Sequence, residues 1–261
     1  MDIPLGWRTD LAVLRLSGAQ IVDHGDHLQV TSPDNPTYYW GNFVLVTDRD
    51  AVDDPQRWLD VFEAEFPDAE HRAIGLVAAP EDLGAWHALT LFLEPAEVLV
   101  TADPIGPGPL ADGYEVRPLT TEDDWGQSTR MRQLAFPDQD EFEETNTRSR
   151  VEVSRTGAVT WFGAFADGAL AAELGIADCG DGVARYQSVL THPDHRRRGL
   201  TRHLLAVAAE HARSRGATDL VIVADGDSDA GRLYRRAGFV LDDTMYEVSR
   251  VPGIEATPEF S

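Results

Sequence analysis

The chain has 261 residues, 43% of them hydrophobic, and a formal net charge of −23. It is long enough to bury one or two cores, too acidic to suit a nucleic-acid partner, whose phosphates need a basic surface, and free of any apolar run near the length of a membrane span. Its single cysteine, Cys179, excludes an internal disulfide and a cysteine-based zinc site.

The opening MDIPLGWRTDL has neither the basic nor the apolar segment of a secretory leader, so a cytoplasmic protein is expected. TYYWGNFVLVT reads as one or two strands, DPQRWLDVFEAEF (54–66) as a helix, and RAIGLVAA as a strand. EDLGAWHALTLF follows as a helix and AEVLVT as a strand. TADPIGPGPLADG (101–113) carries three prolines and three glycines and reads as a linker, which places a domain boundary at 112.

Beyond the linker the pattern sharpens. YEVRPL (114–119) alternates like a strand. A threonine cap and acidic first turn open a helix over 121–136, and a second helix covers 140–155. Segments 158–168, 169–178 and 183–191 read as three strands, with Asp167-Gly168 as a tight turn. A helix over 200–216 puts Leu204, Leu205, Ala208, Ala209 and Ala212 on one face. Then come a buried strand (218–225), a capped helix (228–239), a last strand (244–250) and a tail (251–261). The succession predicts an α/β domain over 113–250. It is preceded by a smaller α/β domain over 1–112, whose strand-helix-strand-helix-strand order parallels 183–250, as a degenerate internal repeat would.

Charge is distributed unevenly. Residues 1–112 hold 20 acidic and 5 basic side chains, and the rest 25 and 17. All the basic ones are arginine, and Arg196, Arg197 and Arg198 form the densest cluster, between the strand YQSVLT and a helix. A helix start leaves backbone N–H groups without partners and carries partial positive charge. Gly199 lets a ligand approach the backbone, and arginines add charge-assisted contacts. The loop therefore suits a pyrophosphate, which leaves nucleotides and coenzyme A equally open. An ordinary solvated turn is the plain alternative.

The stretch SVLTHPDHRRRGLTRHLL resembles motif A of the GNAT acetyltransferase superfamily, with Arg196, Gly199 and Thr201 at the defining positions. DSDAGRLYRRAGF resembles the same superfamily's motif B, with Asp227, Ala230, Tyr234, Gly238 and Phe239 in register. The resemblance covers roughly 113–250. It implies a GNAT-like mixed central sheet flanked by helices, and acetyl-coenzyme A as acyl donor. Val189, Leu190 and Thr191 would pair with the pantetheine amides. The amides of Arg197, Arg198, Gly199, Leu200 and Thr201 would hold the pyrophosphate, with the arginine side chains outside. The strands at 183–191 and 218–224 would splay apart to admit the donor. Two positions depart from the pattern: Thr201 stands where glycine or alanine is usual, and Asp227 where asparagine is common. Asp227 is expected to cap the helix, because a carboxylate facing phosphates would repel them.

Acyl transfer to an amine needs a base for the amine proton and a donor for the leaving thiolate. Tyr234 matches the superfamily's acid position. The strand 183–191 holds no carboxylate, so Glu173, in the apolar strand ALAAELGI, is the candidate base, with a pKa raised by partial burial. His192 and His195 lie near the loop as turn residues. No spacing identifies a metal site, and nothing supports a covalent role for Cys179. The expected function is acetyl-coenzyme A-dependent N-acetylation of a small-molecule or peptide amine, a cationic one suiting so acidic a chain. The competing reading is a non-catalytic acyl-coenzyme A-binding module. A nucleotide site is disfavoured because the chain has no P-loop lysine.

Overall fold

Residues 3–137 and 139–251 are described by a computed structural model. The chain divides into two compact units, Met1–Glu97 with Asp243–Ser261, and Val98–Asp242. The expected tail, apart from Val251, lies outside the described residues. Among the described residues no helix is long and apolar enough to cross a membrane.

The first unit begins with α1 (Leu5–Leu16), whose Trp7, Leu11 and Leu14 recur at helical spacing and are buried. β1 (Gln20–Asp23) and β2 (His27–Thr31) form an antiparallel hairpin. β3 (Phe43–Val46) lies antiparallel to β2. Helix α2 (Pro55–Glu65) then crosses over to β4 (Arg72–Leu76), which is parallel to β3. A short α3 (Leu83–Ala88) and β5 (Phe92–Thr101) follow. The last strand of the chain, β11 (Val240–Arg250), pairs antiparallel with β4, Tyr246 opposite Leu76 and Arg250 opposite Arg72. Trp7 packs over the backbone of Gly75 so closely that a Cβ there would sit 2.5 Å from its ring, and the indole N–H donates to the Leu76 carbonyl at 2.9 Å. Residues 5–31, for which the sequence carried no expected element, thus form a helix and a hairpin. The Trp7–Leu11–Leu14 spacing is the helical signal in that stretch.

The second unit holds β6 (Tyr114–Pro118), α4 (Glu122–Ala135), α5 (Asp140–Thr156), β7 (Val159–Ala166), β8 (Ala169–Asp178), β9 (Val183–Thr191), α6 (Leu200–Ser214), β10 (Asp219–Ala224) and α7 (Asp229–Arg236). Its strands run in the order β5-β10-β9-β8-β7-β6, with β5 entering through residues 98–101. Pairs from β6 to β9 are antiparallel, and β9–β10 is parallel. This is the expected mixed sheet flanked by helices. The five apolar α6 positions named from the sequence are all buried, in one core with Ala172, Leu174, Tyr186, Tyr234 and Phe239. Each fully buried leucine there is worth about 1.5–3 kcal/mol.

Both units repeat one pairing pattern: antiparallel, antiparallel, then a parallel pair joined through a helix, over β1-β2-β3-β4 and over β7-β8-β9-β10. The first unit thus shares this pairing order with the second, which an internal repeat would produce. The two crossover helices begin differently. At α2 the Asp54 carboxylate accepts the Arg57 N–H, so a negative charge already occupies that helix start. At α6 no side chain caps the start.

The expected boundary at 112 differs from the division after Glu97. Residues 102–113 form no helix or strand, as a linker should, but their backbone is held within the second unit. Arg213 donates to the Asp103 carbonyl at 2.7 Å, Arg202 donates to that of Gly106 at 3.1 Å, and Ile105 is buried in the core.

Candidate active site

The site begins with a strand that outruns its neighbour. On one edge β9 pairs with β8, where Gly175 faces Gln187 and Glu173 faces Leu190. That is three steps on β9 against two on β8, a bulge, and Ser188 sits in it at φ 45. On the other edge β10 pairs only with Val183, Ala184 and Arg185, through Asp219, Leu220 and Val221. Both strands continue, β9 to Thr191 and β10 to Ala224, without further pairing between them. Residues 187–191 thus offer a free strand edge, and Val189, Leu190 and Thr191 are half-buried along it. This is the expected splay.

From Thr191 the chain makes a single 3-10 turn (Pro193–His195) and reaches α6 through Arg196, Arg197 and Arg198, all exposed. Arg197 takes a left-handed φ of 59 and Gly199 one of 81. Such alternation around a helix start turns successive N–H groups toward one side, as anion-binding nests do. The side chain of Leu200 is buried in the core, so only its amide is available. The Thr201 hydroxyl, the departure from the motif, lies 3.1 Å from that of Thr191 and joins the strand end to the helix start. Tyr114, which the sequence reading passed over, braces the loop: its hydroxyl lies 2.7 Å from His195 Nδ1 and accepts from Arg198 at 3.1 Å. The 102–113 segment also reaches the loop, since a Cβ on Gly199 would lie 2.3 Å from the Pro109 carbonyl oxygen. A side chain at 199 would therefore strike the backbone before it reached any ligand, contrary to the sequence expectation that this position opens onto the phosphate.

Tyr234 lies on the buried face of α7, 4% exposed and edge-on to Phe239. Burial pushes its hydroxyl up to about 12, so it carries its proton throughout the neutral range. The cap of α7 is Ser228, whose hydroxyl accepts the Gly231 N–H at 3.0 Å. Asp227, expected to cap, sits one residue earlier with its carbonyl accepting from Arg232. The helix phase explains the difference: the residue with extended backbone just before the first helical turn is 228.

Glu173 is fully buried. Its Oε1 accepts from Arg150 at 3.0 Å and lies 3.9 Å from Arg132, while Oε2 has no hydrogen-bond partner. Arg132 in turn pairs with Glu143 at 2.6 Å, and Arg150 donates to the Ser128 hydroxyl. Two arginines and two glutamates thus fasten α4 and α5 to β8. Glu173 reaches this layer, whereas its neighbour Leu174 packs in the core that contains Tyr234. The structure gathers the loop, the strand end and their arginines into one place, and sets Glu173 and Tyr234 on different faces of β8. The partner residues Arg132, Glu143 and Arg150 carry no sequence signal beyond helical charge. A separate cleft of about 250 Å³, bordered by Thr160, Asp178, His211 and Arg215, includes none of the motif residues.

A family model described as the acetyltransferase (GNAT) family matches residues 122–239. The chain has no significant match among curated proteins. Its fold is similar to that of a conserved protein of unknown function from Staphylococcus epidermidis, with a TM-score of 0.72 at 14% identity, covering 89% of this chain and 94% of that one. A GCN5-related N-acetyltransferase from Kribbella flavida gives 0.66 at 19%, covering 96% and 97%. A tandem GNAT protein from the clavulanic acid biosynthesis pathway gives 0.58 at 14%, covering 95% and 89%. At such identities the likeness concerns the fold. Residues 122–239, which carry motif A on the β9–α6 turn and motif B on α7, match the acetyltransferase (GNAT) family, and the chain's fold is similar to those of the two GNAT proteins just named.

Proposed function

We propose that the second unit binds acetyl-coenzyme A along the free edge of β9 and transfers its acetyl group to an amine. The observation that carries this reading is the register of β9. Pairing with β10 stops at Arg185, and the strand then runs free for several residues into an uncapped helix start flanked by three arginines. A free strand edge suits an amide-bearing chain, and an uncapped helix start suits its phosphates. The residues present fit that donor: Val189, Leu190 and Thr191 along the edge, and the amides of Arg197 to Thr201 at the turn. The donor supplies a thioester whose carbonyl accepts the amine.

In this reading Tyr234 gives its proton to the departing sulfur as the carbon–sulfur bond breaks and the carbon–nitrogen bond forms. Its raised pKa keeps that proton in place before the step. Glu173, assigned as base from the sequence, sits in a closed ion cluster with Arg150. Such surroundings support a positioning role, holding α4 and α5 over the sheet, and the amine proton passes to solvent water. The acceptor is a small-molecule or peptide amine, and the net charge of −23 favours a cationic one.

The test is free-thiol release from acetyl-coenzyme A with a panel of mono- and polyamines, amino sugars and peptides, beside calorimetric titration of the donor. Donor binding with thiol release for at least one amine is expected. No donor binding up to about 1 mM, a weak association of about 4 kcal/mol, would overturn the reading. Binding without release for any acceptor would leave the unit a coenzyme A-binding module.

A further inference from the structure

The first unit, which has no arginine-rich loop, gathers a different set of groups. His24 and His27 flank the β1–β2 turn, where Gly25 takes φ 96, and Glu65 ends α2. One ligand atom from each of these three side chains lies within 4.8 Å of the other two. The imidazoles are stacked, 4.6 Å between centroids and 4° between planes.

His27 is the telling member. It is 7% exposed, and its Nδ1 lies 2.6 Å from Asp26 Oδ1. An ionised carboxylate only accepts, so Nδ1 carries the proton and the lone pair is on Nε2. Nε2 is buried and has no hydrogen-bond partner. A buried polar nitrogen without a partner carries a desolvation cost that a ligand would remove. The arrangement of carboxylate, imidazole and free Nε2 is the one that orients and strengthens histidine ligands in metal sites. Asp26 is itself fixed by Arg57, and His27 by the edge of Trp58 at 5.7 Å. Arg57 also offsets the charge of Asp26 beside the cluster.

We propose that His24, His27 and Glu65 form a binding site for one zinc-class divalent cation, with Asp26 positioning His27. Two nitrogens and one carboxylate oxygen are a donor set for zinc and its neighbours, and a poor one for magnesium or calcium. Bonds of about 2.0–2.1 Å in tetrahedral geometry need ligand atoms about 3.4 Å apart. The widest pair must therefore close by no more than about 1.4 Å, within the rotamer freedom of an exposed His24 and a half-buried Glu65. Water completes the coordination. The ion ties the hairpin turn to the C-terminal end of α2, adding to the Asp26–Arg57 and His27–Trp58 contacts that already hold the turn to the start of that helix, and so acts as a staple for this unit.

The probe is zinc chloride titrated calorimetrically into the metal-stripped full chain, with magnesium chloride as control. One site with a micromolar or tighter Kd is expected. The melting midpoint should rise by about 4 °C or more at hundredfold excess over Kd. His24→Gln and Glu65→Gln, at positions outside the core, should each weaken zinc at least tenfold with unchanged circular dichroism. Asp26→Asn should weaken it by about 10–100-fold. His27→Gln should abolish it, and if that variant fails to fold, the His24 and Glu65 variants decide. Zinc binding only at millimolar concentration, equal binding of magnesium, or an affinity unmoved by His24→Gln and Glu65→Gln would overturn the proposal.

Discussion

At the scale of single residues, two side chains invite measurement. Tyr234→Phe removes one hydroxyl and almost no volume from a position that packs against Phe239, so the core should survive. A proton donor acts in the transition state, so the loss should fall on turnover and leave donor affinity within a few-fold. General acid assistance is typically worth about 100-fold or more, and less here if the thiolate leaves readily unaided. Steady-state kinetics at saturating donor check it, and unchanged turnover with chemistry rate-limiting removes the acid role. The second residue is Asp124, which takes both nitrogens of Arg117, at 2.7 and 2.9 Å, and the N–H groups of Thr120 and Thr121. The Arg117 guanidinium, first among these, holds its carboxyl well below the usual carboxylate range. The unfolded chain titrates this group near 3.9. Its stabilisation is therefore complete above about pH 5 and drains away as the pH falls through 3.9 toward the folded value. Asp124→Asn should melt lower at pH 7 and lose less on acidification to pH 3 than the parent chain. Parallel melting curves against pH would contradict this.

At the scale of elements, the β9–α6 turn combines a bulge, a free strand edge and a helix start that no side chain caps. Its arginines are exposed and outside the core, although Arg198 also donates to the Tyr114 hydroxyl and the Asp194 carbonyl. Replacing Arg197 and Arg198 together by glutamate should weaken acetyl-coenzyme A by about tenfold or more, since two charge-assisted contacts become repulsions. The melting temperature should fall only by what the two exposed hydrogen bonds of Arg198 contribute. Equal affinity in calorimetry would place the donor elsewhere. Gly199→Ala is expected to behave otherwise. A left-handed φ of 81 and the Pro109 carbonyl 2.3 Å from the new Cβ should lower the melting temperature along with the affinity.

For the whole molecule, the compact units do not follow the order of the chain. The last strand belongs to the first unit from Asp243 on and pairs with β4 through Tyr246–Arg250, and residues 98–101 of β5 belong to the second. A fragment of residues 113–250 should therefore fold poorly. It lacks Leu99 and Ile105 of the core and the carbonyls that hold Arg202 and Arg213. It also leaves Met245 and Val248, both buried in the intact chain, without the strand they pair beside. Gel filtration and circular dichroism should show aggregation or a melting temperature well below that of the full chain. A monomeric fragment as stable as the parent would show that the missing segments contribute nothing.

The sequence by itself determined the elements of the second unit, the α6 face and the place of the arginine-glycine loop. These depend on local spacing and on backbone chemistry that neighbours in the chain already specify. It determined the first unit only from its third strand onward. The tertiary structure decided what depends on distant partners. Glu173 reads as an isolated carboxylate in an apolar strand, and becomes half of an ion pair because Arg150 lies on another element. The 101–113 stretch reads as a free linker, and is fastened by arginines about a hundred residues away. His24, His27 and Glu65 meet because the β1–β2 turn and the end of α2 converge in space. Which strands become neighbours was likewise decided at long range, because the alternation of side chains specifies a strand's faces but not the neighbour on its edge.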